Sequence, residues 1–100
     1  MSVYVDPLFT MESRNPQAFR VGARNDHRWC HLFADTEEEL RVLAEKIGMR
    51  RSWFQLSRRD LGHYDLTPGR RAAAIRAGAV EVTREQAVEI WDRTRAQRRD

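Results

Sequence analysis

The chain has 100 residues, of which 41% are hydrophobic and 33% are charged, and its formal net charge is +3. This length suffices for one domain with its own core, and the composition excludes a disordered chain. No apolar run approaches the roughly 20 residues of a membrane span, and the first residues lack the pattern of a signal peptide. We therefore expect a cytoplasmic protein. Its single cysteine, Cys30, excludes an intramolecular disulfide and a zinc site built on several cysteines.

The positive charge is concentrated in the middle of the chain. Residues 41–76 contain nine basic and three acidic side chains, a net charge of +6, whereas residues 1–40 have four basic and seven acidic side chains, a net charge of −3. Of the 18 basic residues only Lys46 is a lysine, and arginine suits bidentate contacts with phosphate or carboxylate. Codon bias in a GC-rich genome would produce the same excess, so the arginine content alone indicates no partner.

The first third of the chain predicts two strands separated by a long loop. A β-rich run predicts a strand over residues 2–6, and residues 7–27 predict a loop with a helical turn at about 16–20. Residues 28–34 predict a central strand, because both of its alternating faces are largely apolar. We expect one face to present Trp29, His31 and Phe33 and the other Cys30, Leu32 and Ala34.

The middle of the chain predicts a helix, a strand and a loop. Thr36 and Glu39 form a capping box ahead of an apolar stripe, which predicts a helix over residues 36–47. Residues 49–56 predict a third strand, and residues 57–66 are typical of a loop.

The last third of the chain predicts a helix, a strand and a final helix. Thr67 followed by proline predicts the start of a helix that continues to about Ala77. Residues 79–82 predict a fourth strand, and a second capping box at Thr83 opens the last helix. The apolar residues that this helix is expected to bury are Ala87, Val88, Ile90 and Trp91.

Strands and helices alternate along the chain, which predicts an α/β fold. We expect a single small domain over residues 1–94, with about four mainly parallel strands, three helices and right-handed crossovers. Residues 95–100 lack an apolar stripe, and we expect them to form a frayed basic tail.

Six segments form an ordered combination that is more specific than any one of them. They are Val3–Asp6, Trp29–Asp35, Arg51–Gln55, His63–Pro68, Arg71 and Gly78–Ala79. In this combination the chain resembles the domain-of-unknown-function family 4031, a family of short bacterial and phage proteins. The resemblance covers most of residues 3–82 and leaves the final helix and tail outside. It implies no activity.

Two carboxylates and one helix start are candidate ligand contacts. Ligands of open α/β sheets gather at the carboxyl ends of the strands, and Asp6 and Asp35 each follow a predicted strand. If those strands are parallel, both carboxylates lie at one edge, although Asp35 could instead serve the adjacent helix N-terminus. Arg70 and Arg71 follow Thr67 in the first helical turn, where the helix dipole disfavours cations by about 0.3–1 kcal/mol each. An anion bound at this turn would explain them, as would side chains that extend into water or pair with Asp65.

Two histidines lie within aromatic runs and are candidates for catalysis. His31 and His63, with Asp35 or Asp65, could act as general acid and base or hold a divalent metal ion, although no local metal-binding spacing is present. His31 could equally be a core histidine satisfied by one hydrogen bond. We therefore place the centre of the candidate site at residues 63–71.

Aromatic side chains in the same runs are candidates for stacking on a base. Trp53 and Tyr64 could stack, and Gln55 could hydrogen-bond the edge of the base, although aromatics at strand spacing are usually core residues.

These observations leave three hypotheses open. The first is a site for a phosphate-bearing ligand, such as a nucleotide, at which His31, His63 and Asp65 either catalyse hydrolysis of a phosphoester or take part in binding without turnover; both alternatives are equally compatible with the sequence. The second is a nucleic-acid-binding module without catalysis, based on the basic middle of the chain. The third is a protein-interaction domain. The sequence favours the first and leaves the ligand, any metal ion and the oligomeric state open.

Overall fold

A computed structural model of the chain describes residues 2–10, 28–56 and 62–99. Most of the predicted loop over residues 7–27, with its helical turn, therefore lies outside the described residues. So do the side chains of the predicted tail.

All three predicted helices are present. They are α1 (Glu37–Lys46), α2 (Pro68–Arg76) and α3 (Arg84–Arg99). The predicted N-cap threonines Thr36 and Thr67 accept hydrogen bonds from backbone amides three residues later, which satisfies groups that the first turn leaves open. Gly48 and Gly78 follow α1 and α2 with φ angles of 79° and 113°, a conformation that glycine adopts without steric cost. Each described helix is too short or too polar to cross a lipid bilayer.

The sheet is mixed rather than mainly parallel, which corrects the sequence prediction. Its strands are β1 (Val3–Val5), β2 (Phe9–Thr10), β3 (Arg28–Ala34), β4 (Gln55–Leu56), β5 (Gly62–Leu66) and β6 (Val80–Glu81). The order is β4-β5-β3-β1-β6, with β2 also paired to β3. Among the described strands, β1 and β6 are the parallel neighbours, and the other pairs are antiparallel.

The main error of the sequence prediction concerns β5, because residues 57–66 were expected to form a loop. Gly62–Leu66 instead forms a strand that pairs with both β3 and β4. The expected strand over residues 49–56 is correspondingly shorter, with a 3₁₀ helix at Arg51–Trp53 and two strand residues. β3 and β4 do run in the same direction, as expected of a strand–helix–strand unit, but β5 lies between them and is antiparallel to both.

The sheet separates two apolar clusters of different size. One face packs against α1 and α2, and its core contains the β3 residues Cys30, Leu32 and Ala34 together with Leu40 and Ala74. The opposite face packs against α3 through a small cluster of buried residues: Phe33, Ala87 and Ile90. The predicted alternation along β3 and its central position are confirmed.

Only part of the predicted apolar stripe of α3 is covered. Ala87 and Ile90 are buried and Trp91 packs beside them, whereas Val88 is 41% exposed, contrary to the prediction. α3 therefore covers the half of its sheet face that surrounds Phe33.

The segment between β1 and β2 contains one extra residue relative to β3. Val5 pairs with Leu32 and Phe9 pairs with Trp29, so the three residues Asp6–Leu8 lie opposite the two residues between those partners. Such a bulge interrupts the ladder and redirects a side chain, and Pro7 has no amide hydrogen to contribute. The bulge turns the carboxylate of Asp6 towards His31, to which it is hydrogen-bonded.

Candidate functional site

The part of the α3-side sheet face away from Phe33 is polar. His31 on β3 lies opposite Asp65 on β5, and His63 lies opposite Gln55 on β4. Because side chains alternate along strands, these four residues share one face of the sheet. We name Asp6, His31, His63 and Asp65 the histidine cluster.

Asp6 holds His31 in one orientation. The backbone amide of His31 donates to Asp6 Oδ1 at 2.6 Å, and His31 Nδ1 lies 2.7 Å from Asp6 Oδ2. An ionised carboxylate can only accept a hydrogen bond, so Nδ1 carries the hydrogen and Nε2 of the neutral ring bears the lone pair. Arg71 Nε donates to the backbone carbonyl of Asp6 at 3.0 Å and thereby supports the bulge.

The environment of His31 affects its protonation. Burial lowers the pKa of His31, but the hydrogen bond and negative charge of Asp6, with the charge of Asp65, outweigh burial and raise the pKa above its ordinary value. The imidazole therefore keeps its second proton to a higher pH than a solvated histidine does.

His63 and Asp65 complete the cluster from the neighbouring strand. His63 Nε2 lies 3.6 Å from Asp65 Oδ1, and Gln55 donates to the other carboxylate oxygen, Oδ2, at 3.2 Å. The two imidazole rings meet edge to face, with centroids 5.2 Å apart. One nitrogen of each histidine and one oxygen of Asp65 all lie within 4.8 Å of one another.

Two aromatic rings line the cluster. Phe9 stacks on the His31 ring with a centroid distance of 5.1 Å, and Trp91 meets the same ring edge to face at 5.7 Å. The side chains of His63, Asp65 and His31 are 9%, 18% and 27% exposed, so the cluster is shielded but open to solvent. The sequence prediction missed Phe9, because a two-residue strand gives no detectable periodicity, and it assigned Trp91 to helix packing alone.

The arrangement can support two kinds of chemistry. Partly buried imidazole and carboxylate groups can transfer protons to and from a ligand. The same donor types can bind a metal ion, with Asp6 as an outer carboxylate that orients its histidine ligand.

The structure gives the arginines of α2 partners within the chain. Arg70 donates to the carbonyl of Ile47 at 3.0 Å, at the C-terminal end of α1, where a cation also suits the helix dipole. Arg71 contacts the Asp6 carbonyl and pairs with Glu81 at 3.2 Å. These contacts account for both arginines without a bound anion.

Asp35 lies apart from the histidine cluster. It follows the carboxyl end of β3, and Asp6 follows the carboxyl end of β1, but these strands are antiparallel and their ends lie at opposite edges. The expectation that the two carboxylates share an edge is therefore wrong. The Asp35 carboxylate accepts hydrogen bonds from the Ser2 amide, the Tyr4 hydroxyl and the Arg93 guanidinium, at 2.8–3.1 Å. We name these four residues the Asp35 cluster.

The remaining candidates differ in exposure. Tyr64 faces the core beneath α1 and is 3% exposed, whereas Trp53 is 39% exposed beside the guanidinium groups of Arg50 and Arg70. Cys30 is fully buried, and burial raises its pKa to about 12, so the thiol stays protonated.

A small cavity lies on the α1 side of the sheet. It has a volume of about 220 Å³, and its lining includes Arg41, Arg51 and Phe54. Tyr64 contributes to it from β5, and because Tyr64 alternates with His63 and Asp65, the cavity and the histidine cluster lie on opposite faces of the sheet.

The fold and site together define a small α/β domain with a histidine–carboxylate cluster at the surface of a mixed sheet. The family model described as Protein of unknown function (DUF4031) matches residues 3–94, and the chain belongs to this family. The resemblance expected from the sequence ends at residue 82, and the family match extends beyond it through most of α3. No curated protein and no solved structure matches the chain significantly.

Proposed function

We propose that the protein is an enzyme that binds a phosphate-bearing ligand at the histidine cluster and hydrolyses its phosphoester bond. The observation that carries the proposal is the orientation of His31 by Asp6 at 2.7 Å, with the ring of His63 at 5.2 Å and the carboxylate of Asp65 on the same face. A carboxylate that fixes one histidine nitrogen leaves the other aimed at a reactant.

Hydrolysis of a phosphoester requires a proton acceptor, which this cluster can provide. The oxygen of water bonds to phosphorus, the bond to the leaving oxygen breaks, and the proton lost by water must pass to a nearby base. His31, His63 and Asp65 offer proton acceptors, and their partial burial strengthens electrostatic interactions.

Charge favours an anionic ligand. Residues 41–76, which include β5 and the whole of α2, have a net charge of +6 from nine basic and three acidic side chains. Arginine side chains often bind phosphate through two parallel hydrogen bonds.

The test is release of p-nitrophenol from p-nitrophenyl phosphate and bis(p-nitrophenyl) phosphate, followed by a panel of nucleotides. We expect turnover by the wild-type protein and a fall of about 10²–10⁴-fold in His63→Gln. His27→Gln is the matched control, because His27 is the last residue of the loop predicted over residues 7–27, and it should retain activity. The proposal fails if no substrate is cleaved or if both variants are equally affected while folded.

A second candidate function is supported by the surface around Trp53. Its indole is exposed, and the guanidinium carbons of Arg50 and Arg70 lie 5.6 and 5.3 Å from its ring centroid. Arg51 adds a side chain that is 75% exposed. Exposed aromatic rings among arginines are typical of surfaces that bind unpaired nucleic acid through stacking and phosphate contacts.

Fluorescence anisotropy with a labelled oligothymidylate tests this candidate. Binding should weaken steeply as salt increases, and Trp53→Ala should lose affinity, whereas Val42→Ala, at another exposed apolar residue, should not. Absence of binding in dilute salt would exclude it.

A further inference from the structure

We infer that His31, His63 and Asp65 bind a divalent first-row transition-metal ion of the zinc class. The inference rests on the proposed function in one respect, since the ion would activate the water that hydrolysis consumes. Binding of the ion is nevertheless measurable without any substrate.

The donor atoms are of the type and number that such ions require. Two imidazole nitrogens and one carboxylate oxygen form the ligand set of many catalytic sites, in which the remaining coordination positions hold water or substrate. Imidazole favours transition metals over magnesium and calcium, which prefer oxygen ligands.

The distances fit a site that closes slightly around an ion. Ligand bonds of about 2.0–2.2 Å place the ligand atoms of a tetrahedral site about 3.4 Å apart. His63 Nε2 and Asp65 Oδ1 lie 3.6 Å apart, which is close to that value and longer than a good hydrogen bond. The three donor atoms lie within 4.8 Å of one another, so small side-chain rotations would bring them together.

Neighbouring groups prepare the ligands for binding. Asp6 hydrogen-bonds His31 Nδ1, which leaves Nε2 as the coordinating atom, and carboxylates hold ligand histidines in this way in many metal sites. Gln55 hydrogen-bonds Asp65 Oδ2 and leaves Oδ1, the atom nearest His63, for the ion. Asp6 and Gln55 are therefore positioning residues, and the metal site explains why they surround the three ligands.

An ion bound here would activate water and polarise the substrate more strongly than the histidines alone. A bound zinc ion lowers the pKa of water to about 7, which generates a nucleophile at neutral pH. The ion would also polarise a phosphoryl oxygen at an open coordination position.

The test uses tag-free protein stripped with EDTA and then titrated with Zn²⁺ by calorimetry and with Co²⁺ by visible absorption. We expect about one equivalent of each ion to bind, and the Co²⁺ bands to report nitrogen and oxygen ligands. His63→Gln and Asp65→Asn should weaken binding by more than about 100-fold, and Asp6→Asn by about 10–100-fold. His27→Gln and Asp35→Asn are the matched controls and should bind as the wild type does.

The Co²⁺ spectrum of the wild-type protein keeps the test decisive even if a variant fails to fold. Absence of binding to the stripped wild-type protein, or equal loss in the control variants, would overturn the metal site. Hydrolysis that persists unchanged without bound metal would overturn the role of the ion in activating water and leave the proposed function intact. Metal binding by the three ligands without hydrolysis of any substrate would support the metal site and overturn the proposed function.

Discussion

The Asp35 cluster and the histidine cluster both involve a carboxylate near β3, but their polar groups are arranged differently. Asp35 accepts hydrogen bonds from three donors, so its charge is matched within the chain. In the histidine cluster, two imidazoles and the carboxylate of Asp65 converge, and all three can offer lone pairs to the same point. The first arrangement ties α3 to the sheet, whereas the second is suited to a ligand or an ion. An aspartate near β3 therefore takes its role from its neighbours.

The largest expected effect is a difference in turnover between the same substitution made in each of the two clusters. Asp65→Asn keeps the shape of the side chain but removes its charge, and we expect turnover of a phosphoester to fall by about 10²–10⁴-fold. Asp35→Asn makes the same change outside the site and should leave turnover within about threefold of the wild type, which steady-state kinetics will measure. Equal losses of activity in the two folded variants would remove the distinction between the clusters.

Removing the Asp35 side chain should affect stability rather than activity. Asp35→Ala leaves the Tyr4 hydroxyl and the Ser2 amide without their acceptor, and we expect the free energy of unfolding to fall by about 1.5–3 kcal/mol. Urea unfolding followed by circular dichroism measures this loss. Glu89→Ala, at an exposed residue of α3, is the control and should change stability by less than about 0.5 kcal/mol. A loss no larger than the control's would show that the cluster does not tie α3 to the sheet.

The contribution of Asp35 should depend on pH. Burial raises the pKa of Asp35, but the hydrogen bonds from Ser2, Tyr4 and Arg93 outweigh burial and lower the pKa below its ordinary value of 3.8. A carboxyl with a lowered pKa in the folded state stabilises the fold above the unfolded-state pKa, and this stabilisation is lost as pH falls through the folded-state pKa. The stability difference between wild type and Asp35→Asn should therefore be full at pH 6 and shrink below about pH 4. Urea midpoints at pH 6, 4 and 3 will test this, and a constant difference would contradict it.

The smallest expected effect on the free energy of unfolding is at Trp91, which lies between the apolar and polar halves of the α3-side sheet face. Its ring centroid lies 5.4 Å from that of Phe33 in the apolar half and 5.7 Å from that of His31 in the polar half. Its buried indole N–H has no hydrogen-bond partner among the described residues. Trp91→Phe keeps a ring and removes that N–H, so we expect unfolding free energy to change by less than about 1 kcal/mol. Trp29→Phe likewise removes a buried indole N–H without a partner among the described residues, and thermal unfolding should show an equally small change in stability. A loss above about 2 kcal/mol at Trp91 alone would show that its indole supports the site.

Much of the local structure could be predicted from the sequence, because helices and their caps depend on residues within a few positions. Thr36 and Thr67 identified the starts of α1 and α2, and apolar alternation identified the two faces of β3. β5 was missed although its pattern alternates, with Tyr64 and Leu66 facing the core and His63 and Asp65 facing away. Its many polar residues were typical of a loop, and only pairing with β3 and β4 makes it a strand.

By itself, the sequence determined the α/β class, the three helices and the residues from which a site is built. The tertiary structure decided which of them meet. β5 lies between β3 and β4, which the chain connects through α1, and this position places Asp65 opposite His31. The bulge at Asp6 turns the Asp6 carboxylate towards the imidazole of His31. Because β1 and β3 are antiparallel, Asp35 lies at the edge of the sheet opposite to Asp6. Strand order, direction and register arise from hydrogen bonds between segments distant in the chain, and local periodicity carries no information about them.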